Sequence, residues 1–101
     1  MPLRFRAEAL EEIDAAVDWY ERQRKGRGEE LFGAALVELG QIEESPQRFP
    51  FWSSRVKTRY AVMQHFPFTI YFEEIESQLV ILAFNQGSRR PPRLAARRKG
   101  T

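Results

Sequence analysis

The chain has 101 residues, 43% hydrophobic and 30% charged, which fits one compact domain over residues 1–101 and leaves no length for a second. It has no cysteine and one histidine, which excludes a disulfide framework, a thiolate metal site and a multi-histidine metal centre, so no cofactor or metal is expected. The net charge of +2 conceals a split: residues 1–45 carry six basic and eleven acidic groups, residues 46–101 ten basic and three acidic, so the second half is expected to meet an anionic partner.

Pro2 to Arg6 alternates Leu3 and Phe5 with Arg4 and Arg6, the period of a half-buried strand. Ala7 to about Arg24 then places Leu10, Ile13, Val17 and Tyr20 at helical spacing, with acids over the opposite side. Trp19 and Tyr20 are adjacent and point about 100° apart on a helix, so only one of them can be central to its apolar stripe. Gly26 and Gly28 mark a tight turn. A second helix is predicted from Glu29 to about Glu44, with Leu31, Phe32, Ala35, Leu36, Leu39 and Ile42 as its apolar positions and Pro46 as its stop. So short a connection implies an antiparallel hairpin.

Three antiparallel strands are predicted at Arg55 to Phe66, Phe68 to Glu74 and Gln78 to Asn85, broken at Pro67 and around Glu76-Ser77. The fold class is therefore α+β in the order β-α-α-β-β-β, with the helix hairpin packed on a small antiparallel sheet. Residues 87–101 form a basic tail, partly irregular or with a single helical turn. The longest apolar run, Leu79 to Phe84, is far short of the ~20 residues that cross a bilayer, and Met1 to Arg6 lacks a signal peptide's apolar region. A cytoplasmic protein with no membrane partner is expected.

The charged and aromatic residues suggest where chemistry could reside. Alternation with Val56 and Thr58 would project Arg55, Lys57 and Arg59 from one strand face as an anion track. Arg89 and Arg90 follow the last strand closely and could converge on that track. Arg93, Arg97, Arg98 and Lys99 read as diffuse charge, and the acids of the first helix as a solvated face. The single histidine, His65, lies near a strand end, where a structural or solvated role is the ordinary one. Trp19, Phe51 and Trp52 are candidates for an apolar partner surface, while Phe66, Phe68, Tyr71, Phe72 and Phe84 belong to a core.

Taken together, the residues resemble a known family. Phe5, Ala9, Glu12-Ile13, Ala16, Trp19-Tyr20-Glu21, Gly26, Gly28, Phe32, Ile42, Ser45-Pro46, Phe49-Pro50, Arg59, Phe66-Pro67-Phe68, Ile70-Tyr71, Leu82-Ala83 and Arg89 to Pro91 are similar to the RelE/ParE toxins of bacterial toxin–antitoxin operons. That resemblance spans nearly the whole chain and implies a co-encoded antitoxin that wraps the toxin with a helix and an extended segment. Members of this type usually carry a histidine after the last strand and an aromatic residue further on. Here Gln86 and Leu94 occupy those positions. For the RNA-cleaving members the resemblance would make Arg59, Arg89 and Lys57 the catalytic candidates, acting on messenger RNA at the ribosome. The ParE branch, which poisons DNA gyrase without chemistry of its own, needs no titrating group, and Gln86 favours that branch. A non-toxic interaction module is the remaining alternative.

Overall fold

The structure, a computed structural model, describes residues 1–87 and 90–99. A short strand β1 (Leu3–Phe5) leads directly into helix α1 (Ala7–Gln23), and α2 (Arg27–Glu44) returns against it. Both glycines of the turn are required by geometry. Gly26 adopts φ +90°, the left-handed region that favours glycine. At Gly28 a Cβ would stand 2.6 Å from the Val17 carbonyl oxygen, so the helices can cross this closely only without a side chain there. Glu21 completes the turn: its two carboxylate oxygens accept the Gly26 and Gly28 N–H groups, each at 3.0 Å. Donors that the start of α2 leaves without intrahelical partners are thus satisfied by a side chain of the preceding helix.

After a 3₁₀ turn (Pro46–Arg48), the strands β2 (Arg59–Val62), β3 (Phe68–Ile75) and β4 (Gln78–Gln86) form a meander. The sheet order is β1-β4-β3-β2. It is mixed, not purely antiparallel as expected: β1 takes the free edge of β4 in parallel register, Leu3 opposite Leu79 and Phe5 opposite Ile81. A parallel pair needs a long crossover, and the α1–α2 hairpin supplies it. Glu76 and Ser77, both at positive φ, make the two-residue turn between β3 and β4. The register slips by one between Tyr71↔Ala83 and Phe72↔Ile81, leaving Leu82 as the extra residue of a bulge.

The main core lies between helices and sheet, where Ala9, Ile13, Leu31, Ile42, Ile70, Phe72 and Ile81 are buried. The opposite sheet face has a smaller cluster of Tyr71, Val80, Leu82 and Ala83, covered by Leu94 of the short helix α3 (Leu94–Arg98). The helical turn expected in the tail is therefore present and has a packing role. Among the described residues no helix is long and apolar enough to cross a membrane.

Two expectations about the helices need correction. Phe32 and Leu36 of α2 are about half exposed and face away from the core, because Leu31, Ala35, Leu39 and Ile42 already fill the buried side of that helix. Leu10 of α1 is likewise half exposed. Of the adjacent aromatic pair, Tyr20 turns inward against Phe66 and Phe68, with ring centroids 5.5 and 6.0 Å away, and Trp19 remains 50% exposed.

Candidate functional site

The segment joining the 3₁₀ turn to β2 gathers cations and aromatics at one sheet edge. Phe51 forms an isolated antiparallel bridge with Arg59, Tyr60 N–H donates to the Pro50 carbonyl at 3.1 Å, and Trp52 N–H donates to the Thr58 carbonyl at 2.7 Å. Arg59 is half-buried: its Nη1 donates to the Phe49 carbonyl at 2.6 Å, and its guanidinium lies 3.9 Å from the Phe51 ring centroid. Trp52 packs edge-on to Tyr71 at 6.2 Å while staying 46% exposed. The Tyr71 hydroxyl is held above its usual pKa range by burial, with Tyr60 adding to the effect.

The expected cation row is not a strand face. Arg55 and Lys57 lie in the exposed loop before β2, which begins only at Arg59. The physical reason is that the chain reverses between Trp52 and Thr58, so that Phe51 pairs back with Arg59 and leaves Arg55 and Lys57 in the connecting loop; Thr58 is buried, its hydroxyl donating to Glu73 Oε1 at 3.0 Å. Arg90 is exposed outside any regular element, and Arg89 lies outside the described residues.

Two cations read as diffuse charge are instead clamps. Arg97 forms a two-pronged ion pair with Glu12, at 2.8 and 3.1 Å, and also donates to the Leu82 carbonyl at 3.1 Å. Glu12 Oε1 accepts the Phe84 N–H at 3.0 Å as well. The acids of α1 are therefore not all a solvated face, because Glu12 reaches the edge of β4 beyond the end of β1. Arg98 pairs with the buried carboxylate of Glu73, with contacts of 2.6 to 2.9 Å, and that pairing raises the Arg98 pKa. Arg6 then donates to the Arg97 and Arg98 carbonyls at 2.7 and 2.9 Å, closing the end of α3.

A third feature is an open cleft of about 510 Å³ between α1 and the end of β4, lined by Trp19, Tyr20, Phe68, Phe84 and Gln86 among others. His65 sits elsewhere, exposed at the mouth of a smaller cavity with Glu38. Burial raises the Glu38 pKa, against the opposing charge of Arg48. Among the described residues there is no group of three or more histidines, cysteines or acids placed to hold a metal ion.

No protein-family model matches the chain, and no curated protein matches it. Solved structures do. A chain from the chromosomal ParDE TA system of P. aeruginosa superposes with a TM-score of 0.67 at 20% identity, covering 85% of this chain and 95% of that one. The two chains share a fold.

Within this fold, Gln86 and Arg59 occupy distant places. Arg59 is in register with Phe72 and Gln86 with Phe68, so they lie four residues apart along the strands and two strands across, roughly 15 Å between backbones. Gln86 shares its cleft with Trp19 instead. Leu94 is buried in the outer-face cluster and anchors α3. Sequence reasoning missed the roles of Glu12, Glu73, Arg97 and Arg98, whose partners are 85 and 25 residues apart in the chain. One signal was available: Glu73 directly extends the stretch Phe68 to Phe72, apolar but for Thr69, and an acid buried in such a strand needs a cation.

Proposed function

We propose that this chain is the toxin of a toxin–antitoxin pair, that it arrests growth by binding DNA gyrase in the cytoplasm, and that a co-encoded antitoxin holds it inactive. The observation that carries this reading is the shared fold over 85% of the chain. The residues that resemble the family run in order along the same length, and some of them have evident local roles. Glu21, Gly26 and Gly28 make the helix turn, and Phe68 and Phe84 stack at 4.6 Å where the last two strands pair.

Gln86 supports binding over RNA cleavage. An amide neither takes nor gives a proton near neutral pH, so a 2′-hydroxyl attack would lack the acid or base that this position supplies in RNA-cleaving members. In this reading Arg55, Lys57, Arg59, Arg89 and Arg90 form the basic target-contacting surface, with Arg59 also bracing the loop that carries Arg55 and Lys57. Trp19, Phe51 and Trp52 supply exposed aromatic area for protein partners.

Timed induction in bacteria tests the mechanism. Gyrase-dependent DNA breaks are expected before any loss of messenger RNA. Messenger cut on translating ribosomes ahead of DNA damage would replace the gyrase reading with the endonuclease one, in which Arg59, Arg89 and Lys57 would be the catalytic candidates.

A further inference from the structure

The cleft between α1 and the end of β4 lies where the sheet runs out of strands. β1 pairs with β4 only as far as Ile81, and α1 then leads the chain away, so β4 has an open edge beyond that point. Gly87 N–H donates to the Pro67 carbonyl on the β3 side, while Phe84 N–H donates to Glu12 on the other. Successive residues of an antiparallel strand turn their backbone groups to opposite sides, so the Phe84 carbonyl and the Gln86 N–H both face the open edge. They set one acceptor beside one donor at the cleft, whose volume of about 510 Å³ is that of a small-molecule site.

The rest of the lining selects the occupant. Half-exposed Trp19 forms one wall, and Tyr20 with the stacked Phe68 and Phe84 rings forms the apolar depth. Aromatic walls around a donor and an acceptor in one plane suit a flat heteroaromatic ring. The two charged residues among the described lining are already committed, Glu12 to Arg97 and Arg22 to Asp18, so the cleft offers a phosphate no free cation. We propose that this cleft binds an uncharged adenine-type base or its free nucleoside. The exocyclic amine donates to the Phe84 carbonyl, the adjacent ring nitrogen accepts from the Gln86 N–H, and Trp19 covers one ring face. This site is distinct from the basic loop next to β2, and the proposal does not depend on what the chain does to growth.

The probe is adenosine, titrated into the full chain and followed by calorimetry, with inosine as its counterpart. Inosine has a carbonyl and a ring N–H where adenosine has the amine and the ring acceptor, so it presents the reversed pattern to the same two backbone groups. Adenosine should bind at least tenfold more tightly than inosine, because the reversed pattern sets acceptor against acceptor and donor against donor. Ala15 is exposed on α1 and lines the cleft, so Ala15→Phe should fill the site and weaken adenosine binding at least tenfold with an unchanged thermal melt. Trp19→Ala should also weaken it, whereas Val62→Ser on the sheet should leave it unaltered. Absence of adenosine binding at millimolar concentration, equal binding of inosine, or indifference to Ala15→Phe would overturn the proposal. So would tighter binding of a tetra-adenylate than of adenosine, because the occupant would then be a nucleic-acid strand, or sedimentation as a dimer that Ala15→Phe dissociates, because it would then be a second copy.

Discussion

Glu12 closes the hydrogen bonding of a strand edge that β1 is too short to cover. β1 pairs with β4 only as far as Ile81, and beyond it the Leu82 carbonyl and Phe84 N–H find Arg97 and Glu12. Glu12→Ala removes the acceptor of the Phe84 N–H and the partner of Arg97 together. With side-chain exposures of 29% and 15% the pair is only partly buried, so the expected cost is about 2 kcal/mol, below the ~3–5 kcal/mol of a fully buried pair. Chemical denaturation of the variant measures it, and a double-mutant cycle with Arg97→Ala should show strong coupling. Glu38 gives a prediction of opposite sign. Burial raises its pKa in the folded chain, so the stability associated with it is fully present below the ordinary carboxyl range and is lost as pH rises through the folded value. Glu38→Gln should therefore melt higher than the parent at neutral pH, and the two melting curves should converge below about pH 4.

At the scale of elements, the helix hairpin and the β3–β4 hairpin are defined by their turns. Gly28→Ala forces a Cβ toward the Val17 carbonyl and should destabilise the fold by about 1–3 kcal/mol, read as a lowered melting temperature. The β3–β4 turn runs the other way, because Glu76 and Ser77 hold positive φ without glycine or asparagine. Glu76→Asn with Ser77→Gly should stabilise by about 1 kcal/mol in the same assay. These elements were largely legible in the sequence, since apolar period and turn glycines are local signals, and β3 and β4 end within one residue of where period alone places them. The start of β2 was not legible. Alternation continues back through Arg55, but the chain reverses there so that Phe51 bridges Arg59 and Trp52 N–H reaches the Thr58 carbonyl, a pairing that the period of two does not encode. Phe32 and Leu36 of α2 were legible as apolar residues but not as an exposed face, because one helix has room for only one core-facing arc.

At the scale of the molecule, the opposed charges of the two halves become opposed surfaces. The acidic hairpin shows an aliphatic stripe and Trp19, while the sheet edge shows Phe51 and Trp52 among arginines and Lys57. Two chemically unlike apolar surfaces fit the proposed role, in which one partner holds the chain and another is its target. The candidate anion site was only partly legible in the sequence: the cations were identifiable by type, but Arg59 proves to brace the Phe49–Phe51 loop, and Arg97 and Arg98 are consumed by Glu12 and Glu73. The most direct measurement is growth of bacteria in which the chain is induced alone or together with the small open reading frame adjoining its own. Growth arrest by the chain alone, relieved by the neighbour's product and accompanied by a stable complex of the two, is the predicted result. Unimpaired growth with soluble, folded chain in the cell, and no complex with the neighbour's product, would contradict the account.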